Sequence, residues 1–183
     1  METAKRERLQ WIFGRRSIRK YRPDPISDEE IQLLLEAAMA APSAVGKDPW
    51  RFVVIRDPQT RKKIADFLPY GKMLAEAPVG IVICGDLEAA HDRLLGYLLL
   101  DCAAAIENLL LAAHCLGLGS CWIGIYPREP RVRFLRDLLG IPDHVIPVAV
   151  AAIGYPAEEK PPRTRYNPAY VYQERWEQPY ERK

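Results

Sequence analysis

Apolar residues recur along the chain at helical spacing in some stretches and as short dense runs in others, and the two patterns alternate. Leu9, Ile12 and Phe13 share one side of a helix predicted from Ala4 to Gly14, and residues 17–25 read as extended. Ser27 with Glu30 three residues on is a capping box. From it Ile31, Leu34, Leu35, Ala38 and Met39 run as the apolar stripe of a helix that Pro42 stops. A strand is expected from Phe52 to Ile55, a helix from Gln59 to Phe67 and a shorter one from Lys72 to Glu76. Val79 to Cys84 is an apolar run closed by Gly85-Asp86, the pattern of a buried strand. Leu94 to Leu116 predicts a long helix, apolar nearly all round and ended by Gly117 and Gly119. Such a helix belongs at the centre of a fold or against another subunit. A strand over Cys121–Ile125, a helix over Val132–Leu139 and a strand over Val145–Ile153 complete the series.

Strands alternating with helices predict an α/β or α+β sandwich. At roughly 100–200 residues per domain, 183 residues make one. A hydrophobic share of 49% is enough to build its core. After Gly154-Tyr155-Pro156 the periodicity ends. The stretch from Pro161 to Lys183 is too polar to form a core alone. With Tyr166, Tyr170, Tyr172, Trp176 and Tyr180 it is also too aromatic for an ordinary disordered tail. It is expected to lie along a surface, such as that of a second subunit.

Charge alters this picture in one place. The net charge of +2 gives no argument for nucleic acid. Yet Lys5, Arg6, Arg8, Arg15, Arg16, Arg19, Lys20 and Arg22 crowd the chain before Asp24, against only Glu2 and Glu7. A basic segment in a near-neutral protein points to a local anion. The four cysteines, Cys84, Cys102, Cys115 and Cys121, sit in apolar segments and form no C-x-x-C pair, so they read as buried reduced thiols. The N-terminus is too charged for a signal peptide. Asp101, Glu107 and Asn108 within the most apolar stretch argue for a buried helix over a membrane span. A cytoplasmic location is expected.

In extended chain Arg15, Ser17 and Arg19 face one way. Two guanidinium groups flanking a hydroxyl make either a phosphate clamp or a solvated basic surface. Arg163 and Arg165 repeat the spacing in a segment that reads, alone, as solvated surface; together the two pairs could neutralise one phosphate from two sides. Pro42, Ser43, Gly46 and Pro49 make a loop that offers backbone groups and small side chains to a flat ligand. Trp50 after it reads as core. Gly117-Leu118-Gly119 follows a helix rather than a strand, so it is no dinucleotide fingerprint. A helix C-cap is enough to explain Gly117. His91, His114 and His144 lack ligand spacing, so no metal site is expected. With no nucleophile or acid–base dyad in view, the chemistry falls to a cofactor.

These pieces, in this order, resemble the nitroreductase family of FMN enzymes. The resemblance is carried by Arg15 to Tyr21, Ala41-Pro42-Ser43, Pro49 to Phe52, Gly71-Lys72-Met73, the helix Asp101 to Ala113 with Gly117-Leu118-Gly119, Trp122-Ile123-Gly124, and Gly154-Tyr155-Pro156 leading to Arg163-Thr164-Arg165. It runs from about Leu9 to about Trp176. It implies an α+β, three-layer sandwich with a central, mostly antiparallel sheet, forming an intertwined homodimer with FMN at the subunit interface. Residues 1–183 would be one FMN-binding domain, with 157–183 an arm that wraps the partner. By the same resemblance, Arg15, Ser17, Arg19, Arg163 and Arg165, with the backbone of Arg16, would hold the FMN phosphate and ribityl end. Pro42, Ser43, Ala44, Gly46 and Asp48 would border the ring from the other subunit. Lys72 would approach its pyrimidine edge, and the amides of Ile123 and Gly124 would face N5. The family often has Asn and Gln where this chain has Gly46 and Asp48. Gly46 loses a ring-bonding amide. Asp48 offers only acceptors when ionised and sets a negative charge near a ring that gains one on reduction.

The activity this implies is hydride transfer from NAD(P)H through FMN to a small electrophilic acceptor, a nitroaromatic or quinone, by ping-pong kinetics at one open site. Neither nucleic acid nor membrane is expected as a partner. Two alternatives are a specialised flavin enzyme such as a reductive dehalogenase, and a flavin-binding regulator or carrier without catalysis.

Overall fold

The computed structural model describes residues 2–181; Met1, Arg182 and Lys183, at the two ends of the expected domain and arm, lie outside the described residues. In chain order the elements are α1 (Glu2–Glu7), α2 (Gln10–Gly14), α3 (Asp28–Met39), β1 (Trp50–Ile55), α4 (Pro58–Phe67), β2 (Val79–Asp86), α5 (Leu95–Cys115), β3 (Gly119–Gly124), α6 (Glu129–Leu139) and β4 (Val145–Gly154). The strands form one sheet of order β1-β2-β4-β3 in which every pairing is antiparallel.

Alternation along the two central strands separates two cores. Val79, Ile81 and Ile83 of β2 and Ala149, Ala151 and Ile153 of β4 face α3 and α5. Val82, Cys84, Val150 and Ala152, one position out of step, face α4 and α6. This is the three-layer sandwich expected, and both central strands are buried almost throughout because helices cover both faces. Cys84 and Cys102 are sealed in these layers, and burial pushes both thiols up to about 12. Cys115, at the end of α5, is exposed, which corrects the expectation that all four cysteines are buried. It is the last residue of α5, off the buried stripe that Leu109, Leu110 and Ala113 form in the helix's final turns.

Local chemistry explains where elements begin and end. The Ser27 side chain accepts from Glu30 N–H while Glu30 reaches back to Ser27 N–H, the reciprocal cap predicted. That contact, with the Tyr155 hydroxyl as a further donor, holds the Glu30 carboxyl below its ordinary range. Asp57 caps α4 through Thr60 N–H. Gly117, at φ +74°, turns the chain out of α5. Gly119 has a different reason: a Cβ there would lie 2.7 Å from Ile18, so its hydrogen lets the 15–19 segment lie against β3.

The helix predicted over Ala4–Gly14 is two short ones, α1 and α2, broken at Arg8-Leu9. Leu9, Trp11 and Ile12 are exposed, so no core holds that stripe straight. Helix α5 is long and apolar enough to cross a bilayer by length and composition. Leu98, Cys102, Ala105, Ile106, Leu109 and Ala113 nevertheless form its buried stripe, while Tyr97 and Leu100 are exposed.

Candidate functional site

The 15–19 segment is fastened along the outer edge of the sheet. Ser17 forms a parallel bridge with Ser120 of β3, and Ile18 N–H donates to Ser120 O at 2.9 Å. Ile18 is buried in the α4–α6 core, which fixes the alternation of the residues around it. Burial pushes the Cys121 thiol up, against the opposing charges of Arg19, Lys160 and Arg15 and a hydrogen bond with Ser17. Ser17 pairs with Ser120 beside Cys121, and Arg19 lines a cavity that Cys121 also lines. Arg15 also contacts Glu107 of α5 at 3.4 Å, a half-exposed pair that fixes orientation more than it adds stability.

Two residues that the sequence reading did not single out hold this segment in place. Glu158 accepts from Arg19 N–H at 2.6 Å, and Lys160 donates to Ser17 O at 2.7 Å and to Glu158 at 2.9 Å. The Arg19 N–H and then Lys160 hold the Glu158 carboxyl below its ordinary range. Arg16 points away from the cluster, donating to Pro161 O. The signal for this tie was the pair Glu158 and Lys160 at alternate positions, the same spacing that drew attention to Arg163 and Arg165. Those two arginines line an open cavity of about 720 Å³ beside Phe13, whose carbonyl accepts from Arg163 N–H at 3.1 Å. That contact runs the 163–165 segment beside Phe13, two residues before Arg15, in a cavity whose lining does not include Arg15, Ser17 or Arg19.

Farther along β3, a cavity of about 430 Å³ brings together Arg19, Lys72, Ile123 and Gly124, with Tyr70, Met73, Trp122 and Arg131 on its walls. Its lining holds three cations and no carboxylate. A low-dielectric cleft of one sign concentrates field on whatever enters it. Gly124 has open space where a Cβ would stand. Arg131 donates to Gly124 O at 2.8 Å and fixes the orientation of that peptide.

Pro42, Ser43, Ala44, Gly46 and Asp48 are not brought to this place. They lie in the loop before β1, at the other edge of the sheet, with β2 and β4 between. Three strand spacings of about 4.8 Å make this roughly 14 Å of sheet. In this loop the Ser43 hydroxyl donates to Asp48 at 2.5 Å and accepts from Asp48 N–H at 3.0 Å. Ala44 N–H donates to Asp101 of α5 at 2.9 Å. Trp50 is core, as read. The described residues hold no cluster of His, Cys, Asp or Glu able to bind a metal.

An antiparallel sheet between two helical layers, with a cationic cavity at one edge and a small-residue loop at the other, defines the class: an α+β sandwich. Residues 12–69 and 67–155 match the family model described as Nitroreductase family, and the chain belongs to that family. A protein of Archaeoglobus fulgidus provisionally named NADH dehydrogenase/NAD(P)H nitroreductase is 45% identical over 176 residues, covering 93% of this chain and 99% of its own. A crystal structure from Parabacteroides distasonis with the same provisional name superposes with a TM-score of 0.87 at 38% identity, over 93% of this chain and 99% of that one. A provisionally named nitroreductase from Desulfovibrio desulfuricans, solved in complex with FMN, superposes at 0.78 with 34% identity, over 92% and 96%.

Proposed function

We propose that this protein is an FMN-dependent oxidoreductase that uses NAD(P)H to reduce a small electrophilic acceptor. The observation that carries the reading is the cavity lined by Arg19, Lys72, Arg131, Ile123 and Gly124, beside the 15–19 segment that pairs with β3. The donor set suits the cofactor: guanidinium and ammonium groups for a phosphate, backbone amides for the ring edge, and an uncrowded glycine where a flat ring needs room. When bound, FMN supplies the two-electron chemistry between the nicotinamide donor and the acceptor.

The chain's own residues bind and orient. Arg15, Ser17 and Arg19, together with Arg163 and Arg165, would hold the phosphate and ribityl end, with the Arg16 backbone near them. Lys72 places a cation at the pyrimidine edge, favouring the negative charge gained on reduction. The Ile123 and Gly124 amides face the reacting edge, with Arg131 fixing the Gly124 peptide.

Pro42, Ser43, Ala44, Gly46 and Asp48 complete the site from a second copy of the chain, since their own edge lies across the sheet. The exposed face of α5 with Tyr97 and Leu100, and the exposed Tyr166, Tyr170 and Trp176 of the arm, are the surfaces for that homodimer. The arm from residue 157 wraps the partner, the enzyme works in the cytoplasm, and it engages neither nucleic acid nor membrane.

The test is the visible spectrum of the purified protein, with and without added FMN, before and after NADH or NADPH under anaerobic conditions. A flavin band that bleaches supports the reading and names the donor. A band that persists moves the protein to the carrier class. No flavin binding at excess FMN refutes it.

A further inference from the structure

Asp101 is one of few charged side chains buried in this molecule, 5% exposed on the core-facing side of α5. Leu98 and Cys102 beside it and Ala105 a turn later are all core, so packing alone would be served by an apolar residue. Burying a carboxylate costs several kcal/mol unless its oxygens are satisfied. Here Oδ1 accepts the Ala44 N–H, and Oδ2 has no partner.

The loop that Asp101 touches needs holding. Val45, Gly46 and Asp48 stand at φ +55°, +64° and +49°. For a β-branched valine that region is strained, at a cost of order 1–3 kcal/mol, and persists only when the surroundings over-determine it. Val45 is 75% exposed, so no core contact does this. The restraints are the Ser43–Asp48 pair across the loop, the tight turn Gly46 N–H to Ser43 O and Lys47 N–H to Ala44 O, a long contact from Arg51 of β1 to Asp48 O at 3.4 Å, and the shorter tie from Asp101 of α5 to Ala44 N–H.

We propose that Asp101 is a positioning residue. It pins the Ser43–Asp48 loop in its strained form before the cofactor arrives, and touches no part of the cofactor itself. The inference rests on the reading that this loop borders FMN. Ordering the loop in advance removes a cost that binding would otherwise carry. The family resemblance pointed to residues that would contact flavin; Asp101 acts one step behind them, through Ala44.

Three variants of the full chain separate the possibilities. Asp101→Ala removes the acceptor. Asp101→Asn keeps a carbonyl oxygen for Ala44 but removes the charge. Ala44→Pro deletes the donor from the loop side without touching the core. Ser43, at φ −131° and ψ 159°, already has the conformation that precedes proline. Two readouts apply: hydrogen exchange at the Ala44 amide in the apoprotein, for the Asp101 variants, and the FMN dissociation constant by fluorescence titration, for all three.

The expected result is loss of Ala44 protection in Asp101→Ala and its retention in Asp101→Asn. FMN should bind about tenfold or more weakly in Asp101→Ala and Ala44→Pro, the size of one charge-assisted hydrogen bond, and within about threefold of the unaltered chain in Asp101→Asn. If Asp101→Ala fails to fold, Ala44→Pro carries the same test. Unchanged affinity in Ala44→Pro, or equal losses in Asp101→Ala and Asp101→Asn, overturns the proposal. An unaltered chain that protects Ala44 yet binds no FMN overturns the functional reading instead.

Discussion

The two edges of the sheet achieve rigidity by different means. At β3, the 15–19 segment is held by backbone pairing with Ser120 and by the Glu158–Lys160 tie, and it presents long cationic side chains. Before β1, the Ser43–Asp48 loop has no strand to lean on and presents little beyond its backbone. It is kept in shape by positive-φ residues, an internal hydroxyl–carboxylate bond and one buried aspartate. The cationic edge suits charge, where reach and number matter. The loop edge suits a flat surface, where small size and fixed position matter. The first should carry most of the cofactor affinity; the second, with a smaller share of the affinity, should set how its electrons are poised.

The sharpest break is at the cationic edge. Replacing Arg15 and Arg165 together by Ala removes two charge-assisted contacts, each worth about 1.5–3 kcal/mol, and should weaken FMN binding by about two to four orders of magnitude in a fluorescence titration. A double variant with full flavin occupancy would remove the clamp from the account.

A smaller effect tests the tie behind that edge. The Arg19 N–H, and then Lys160, hold the Glu158 carboxyl below the ordinary glutamate value. Its contribution is therefore complete above about 4.5 and is lost as pH falls through the lower folded value. Glu158→Gln should lose FMN affinity by a few-fold at neutral pH, of order one hydrogen bond. Its affinity should then show less acid dependence than the unaltered chain as pH falls below the ordinary glutamate range. Parallel acid profiles for the two proteins would show that the tie does not position the clamp.

The smallest effect belongs to the loop edge. Asp48→Asn removes one negative charge while leaving an acceptor for Ser43. FMN affinity should change little, and the two-electron reduction potential should rise by about 30 mV, equivalent to ~1.4 kcal/mol. The potential, measured by dye equilibration, should move without the affinity; the reverse result would abolish the contrast between edges.

Much of this was legible in the residues. Strand and helix limits fall within a few positions of those predicted because capping residues, prolines and glycines set them locally: Ser27, Asp57 and Gly117 are all where the structure uses them. The order β1-β2-β4-β3 was not legible, since it depends on pairings between segments far apart in the chain. Nor was the break at Arg8-Leu9, where a periodic stripe finds nothing to pack on. In the site, the arginines showed themselves by spacing. Glu158 and Lys160 did not, because their work is done on backbone atoms of a segment more than 100 residues away. Asp101 was visible as a charge in an apolar helix and was weighed only as an argument against a membrane; its partner Ala44 is reached through a backbone amide, which leaves no mark in a sequence.

A site divided between opposite sheet edges of two copies, as proposed, would have a consequence for inheritance. A copy damaged at Arg15 keeps a sound loop, and a copy damaged at the Ser43–Asp48 loop keeps a sound clamp. Paired in one dimer, the two defects fall together on one site and leave the other whole. Two alleles that are each inactive alone would then restore about a quarter of the activity on random pairing, and half if only mixed dimers formed, whereas two alleles damaged at the same edge would restore none.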